Sequence, residues 1–121
     1  MDAQLQEYTN HFCRHFNAKG IGTNEQPEAF TMDDRKYPYK TIFLTPKKHT
    51  YQQKLVLYIT KRPQDKCYFP EYGVFTFTLG EEGKDGKPLL FTSVSPGGLE
   101  VAMFTLVAPF ADLAQKILYD T

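Results

Sequence analysis

The stretch HFCRH sets His11, Cys13 and His15 at alternate positions. These are side chains that ligate soft metal ions, or that serve as nucleophile and base. What they can do depends on the element that carries them. On a strand all three share a face and converge. On a helix, where successive residues turn by about 100°, His11 and His15 lie roughly 40° apart and Cys13 points away from both. Apolar residues at Leu5, Tyr8, Phe12 and Phe16 make one helical stripe, so the sequence predicts a helix over 3–17, with Asp2 as its N-cap and Gly20 where it stops. Cys13 then drops out and a His-x-x-x-His pair is left. Phe12 stands where the zinc-protease motif has its glutamate, and the further soft candidates, His49 and Cys67, fall in or near loops. A structural zinc needs a closed ligand set. The expectation is therefore no metal and no cofactor, with Cys13 half-buried and the histidines flanking the stripe. A Cys13–Cys67 bridge stays open, but two cysteines are too few for a disulfide scaffold.

No other constellation has the spacing that catalysis requires. SVSPGG is not a nucleophile elbow, and GIG at 20–22 lacks both the third glycine and the preceding strand of a dinucleotide site. GEEGKDGKP at 80–88 lacks the phosphate-loop spacing, and its acids would repel phosphate; it reads as a hairpin tip. Asp33 and Asp34 are adjacent, and in an extended segment they diverge rather than face one substrate.

The feature that stands above background is charge segregation. The 121-residue chain has fourteen basic and fourteen acidic side chains, so no net field draws it to nucleic acid or membrane. Yet residues 1–34 carry −4, residues 35–66 carry +8 and residues 67–121 carry −4. The basic middle interleaves lysines with Tyr37, Tyr39, Tyr51 and Tyr58.

Strands are predicted to position these side chains. KTIFLT (40–45), YQQKLVLYITK (51–61), GVFTFTL (73–79), LLFTSV (89–94) and LEVAMFTLV (99–107) are apolar or alternating runs, and turn-forming stretches lie between them. Residues 18–39 read as polar and irregular, shortened by a turn of helix near PEAFTMDD. SPGG at 95–98 reads as a turn. Residues 109–119 predict a helix that starts at Pro109 and buries Phe110, Leu113, Ala114, Ile117 and Leu118. The expected architecture is a single α+β domain, 1–121. It is an antiparallel meander of about five strands, flanked by an N-terminal and a C-terminal helix packed on one face.

If the helices cover Leu55, Leu57 and Ile59, then Lys54 and Tyr58 occupy the opposite face. Lys47, Lys48, Lys54, Tyr58 and Lys61 are the candidate partner-binding residues, with Lys61 of opposite parity and reaching in only from the strand end. The function this implies is a small, non-enzymatic, cytoplasmic binding protein that docks an acidic protein surface, as an adaptor, inhibitor or toxin-neutralising protein does. Two alternatives are a small metal-dependent or Cys/His enzyme, and a binder of single-stranded nucleic acid through the basic sheet face. The start MDAQLQEYTN lacks the basic and apolar regions of a signal peptide, and no apolar run suits a membrane span, so no membrane partner is expected.

Overall fold

The computed structural model describes residues 2–31, 37–47, 54–62, 74–83, 88–94 and 96–119, and the side chains of these other than Val74 and 96–104. Helix α1 spans Ala3–Ala18. It begins as expected: the Asp2 carboxylate accepts from the Leu5 N–H at 3.1 Å, satisfying one of the orphan donors of the first turn. It ends at Gly20, whose φ of 78° lies in the left-handed region where a Cβ is penalised.

The strands are β1 (Ile21–Glu25), β2 (Ala29–Phe30), β3 (Pro38–Pro46), β4 (Leu55–Arg62), β5 (Val74–Glu81) and β6 (Leu90–Val94). They form one antiparallel sheet in the order β1-β3-β4-β5-β6, with β2 also on β3. Helix α2 (Pro96–Tyr119) closes the described chain. The α+β class, the helix at each end and the antiparallel meander agree with the sequence expectation.

Three boundaries differ. Residues 18–39 are not wholly irregular, because β1 and β2 pair with opposite halves of β3. Ala29 and Phe30 are extended where a turn of helix was expected, and Pro27, Glu28 and Thr31 around them are not helical; residues 32–34 of that stretch lie outside the described residues. Residues 99–107 are helix rather than strand, and SPGG leads into that helix: Pro96 is its first residue, where a missing N–H costs nothing. Pro109 therefore sits inside α2. The helix tolerates it because Leu106, Val107, Phe110, Ala111, Ala114 and Leu118 are all buried at helical spacing, while Pro109 is on the exposed side. Tertiary burial outweighs the local preference.

The core lies between the helices and one face of the sheet. Register fixes that face: Ile42 pairs Leu57, which pairs Leu79, and Lys40 pairs Ile59, which pairs Phe77. Both helices contribute to this core through Leu5, Tyr8, Phe12 and Phe16 of α1 and the α2 stripe. Phe12, Phe77 and Phe110 join α1, the sheet and α2, with ring centroids 5.1 Å apart between Phe12 and Phe77 and 5.6 Å between Phe12 and Phe110. The other face of the sheet has no described helix against it.

Candidate binding face

The helix settles the geometry of HFCRH. His11, Cys13 and His15 lie on α1, and the Arg14 guanidinium donates to His11 Nδ1 at 3.0 Å. Cys13 is a free thiol, half-buried against the core. Burial pushes its pKa up, and a hydrogen bond with Thr23 only partly offsets this, so the thiol is a poor nucleophile at neutral pH. No three His, Cys, Asp or Glu side chains converge on a metal position among the described residues. His49 and Cys67 lie outside those residues.

The basic segment is divided by the fold. Lys40 stands on the helix-covered face, buried, with its ammonium 2.6 Å from the Glu25 carboxylate. Burial pushes the Glu25 carboxyl up, but hydrogen bonds from Lys40 and Gln6 and the Lys40 charge bring it below its ordinary value. Lys61 stands on the same face. Its Nζ is 3.0 Å from Asp2 Oδ2 and 5.9 Å from the Phe75 ring centroid. Burial likewise raises the Asp2 carboxyl, and the Leu5 N–H together with Lys61 outweighs it, leaving the pKa lowered. Acids of the N-terminal segment thus neutralise two lysines of the basic middle.

The remaining candidates fall elsewhere. Tyr58 is on the helix-free face, 38% exposed. Lys54 immediately precedes β4 and is exposed; its carbonyl accepts from the Glu82 N–H. Lys47 follows β3, and its side chain passes 3.7 Å from where a Cβ on Gly22 would lie, at the outer corner of the sheet. It also lines an open groove with Lys19, Asp112, Lys116 and Tyr119. Lys48 lies outside the described residues. The fold therefore sets Lys54 and Tyr58 along one strand, about 13 Å apart at the usual rise. Lys47 stands at the same end as Lys54, and Lys61 is turned to the other face.

The helix-free face contains residues that the sequence reading did not single out. One register row runs Thr41, Tyr58, Thr78, Phe91 across four strands, and the next runs Tyr39, Thr60, Thr76, Ser93. Phe91 is 54% exposed, so two aromatic rings rise about 10 Å apart, with a threonine between them. In the second row Thr60 and Thr76 hydrogen-bond through their hydroxyls. Arg62 ends β4 on this face, with its guanidinium 5.7 Å from the Tyr37 ring centroid. By register, no aspartate or glutamate of the described strands stands on this side: Glu25 and Glu81 both belong to the covered face, while Glu82, directly after β5, is exposed beside Lys54, whose carbonyl its N–H bonds. The face is not uniformly accessible, since Val56 and Thr76 are buried. The alternation of β4 reveals Tyr58; Phe91 is harder to find, because LLFTSV is apolar on both parities.

No described helix is long and apolar enough to cross a membrane. Compared with protein-family models, with curated proteins and with solved structures, the chain finds no match in any of the three.

Proposed function

We propose that the protein is a small non-enzymatic binding protein of the adaptor, inhibitor or toxin-neutralising kind, which docks an acidic surface of a cytoplasmic protein partner on its helix-free sheet face. The observation that carries this reading is the row Thr41–Tyr58–Thr78–Phe91, with two exposed aromatic rings on a face where the described strands present Arg62 and no acid. Aromatic and arginine side chains supply most interface energy, because they bury much area for few frozen torsions. Tyr58 and Phe91 are the anchors in this reading. Lys54 and Lys47, with Lys48 beside it in sequence, form a cationic margin that steers an acidic partner inward. Lys61 is left out, since Asp2 already holds it.

The test replaces Tyr58, Phe91 or, as a control on the outer side of α2, Asp112 with a photocrosslinking amino acid in the native cell. Adducts to the same acidic protein from positions 58 and 91, absent from 112 and diminished by salt in lysate, are the expected result. An adduct to single-stranded nucleic acid instead would transfer the face to that class of ligand. No adduct from either position would remove the face as a binding surface.

A further inference from the structure

We infer that β6 is a self-association edge, through which two copies of this chain pair antiparallel and continue the sheet across a two-fold axis. Among the described residues β6 has a strand neighbour on one side only, β5. A sheet edge presents unpaired backbone donors and acceptors, and proteins that remain single usually guard it with charge, proline or an inward-facing ionised group. The opposite edge is guarded in this way: β1 ends in Glu25, turned to the covered face and paired with Lys40. Strand β6, LFTSV, contains neither charge nor proline.

Exposed apolar surface gathers at the same rim. Of the four large hydrophobic side chains that are exposed among the described residues, Leu89 (40%) and Phe91 (54%) are here. Leu90 and Val94 touch the core but are only partly buried. A two-fold axis through Thr92 sets Leu90 opposite the second copy's Val94 on the helix side, and Phe91 opposite the second copy's Ser93 on the helix-free side. Every apolar residue of β6 then gains a cross-strand neighbour, and no like charges meet. An isologous contact of this kind closes at two copies. The neutral chain adds no net repulsion between them. An extended segment of another protein would use the same backbone groups, but the self-complementary, uncharged register favours a second copy. The two-fold would leave both Tyr58–Phe91 rows on one side of a continuous sheet.

Sedimentation equilibrium of the full chain, from about 1 to about 300 µM, is expected to show reversible dimers. Phe91→Lys with Ser93→Lys places lysine opposite lysine twice in this register, and Phe91→Glu with Ser93→Glu does the same with glutamate. Each double variant should remain folded by circular dichroism, since both side chains are exposed, and should be monomeric alone. An equal mixture of the two should form a one-to-one heterodimer. A wild-type chain that stays monomeric throughout, a lysine variant that dimerises as wild type does, or a mixture that fails to associate would each overturn the inference. None of these results touches the crosslinking test of partner docking, so the two readings fail separately.

Discussion

On its covered side the sheet carries the row Ile42, Leu57, Leu79; one residue along each strand, the helix-free side carries Thr41, Tyr58, Thr78, Phe91. The same strands build both faces, and alternation alone separates them. The covered face is aliphatic and aromatic, and its two lysines, Lys40 and Lys61, are each held by an acid brought from the N-terminal segment. The other face replaces leucine and isoleucine with threonine and tyrosine, and no acid of the described strands is on that side. What the contrast teaches is that a basic stretch of sequence need not make a basic surface. Part of the +8 segment is absorbed in closing the core, and the charge left outside is what remains to attract a partner.

The sharpest way to separate the faces is through stability. Phe77 is fully buried and touches both Phe12 and Phe110, so Phe77→Ala should cost about 3–5 kcal/mol in chemical denaturation. That is a large part of the roughly 5–15 kcal/mol that holds a domain together. A cost under about 1 kcal/mol would mean that the layer between helices and sheet is not the core. Next in size is the ion pair at the margin of that layer. Glu25→Gln removes the charge facing the buried Lys40 ammonium and should cost about 1–3 kcal/mol, less than for a fully dry pair because Glu25 is one-third exposed. Replacing Lys40 with Met together with Glu25→Gln should restore part of the loss, since an apolar side chain suits the site better than an orphaned ammonium.

These residues also show where the sequence was legible. Helix α1 was readable because its polar background throws the stripe Leu5, Tyr8, Phe12, Phe16 into relief. Strand β1 was not: of IGTNE only Ile21 is buried, and an edge strand needs so few apolar positions that it resembles a loop. The first half of α2 was misread because LEVAMFTLV is apolar on every side and rich in strand formers, so it shows no period, and Pro109 imitates a helix start. At the candidate site, alternation placed Tyr58 and gave Lys61 the opposite parity. Nothing local could announce that Asp2, far away in the chain, would capture that lysine.

A smaller effect follows from pH. Asp2 and Glu25 both have carboxyl pKa values lowered in the folded state. The unfolded chain therefore binds protons first as pH falls, and the stability these groups confer is complete above the ordinary carboxylate range and lost as pH drops through their folded values. Denaturation midpoints should stay level from about pH 7 to 5 and decline below about 4.5. In Asp2→Asn with Glu25→Gln the decline should be shallower, while the midpoint at neutral pH is lower. Equal acid slopes in the two proteins would show that these pairs contribute nothing specific to closing the covered face.

The smallest change in stability and the largest in binding are expected together, on the helix-free face. Tyr58 is 38% exposed, so Tyr58→Ala should alter stability by no more than about 0.5 kcal/mol. If Tyr58 is an anchor, the same change should weaken a partner identified by crosslinking by more than about 2 kcal/mol, chiefly through faster dissociation. Lys54→Glu acts earlier, on encounter: association should slow and its dependence on salt should weaken, with dissociation little changed. Lys61→Met is the counterpart on the other face. It removes the ammonium from Asp2 and should cost stability of about 0.5–1.5 kcal/mol while leaving association and dissociation rates unaltered. Surface plasmon resonance and denaturation of the three variants in parallel put the comparison at risk. Should Lys61→Met impair binding as much as Tyr58→Ala does, the division of labour between the faces would fail, and the binding surface would have to extend around the strand end to the N-terminus of α1.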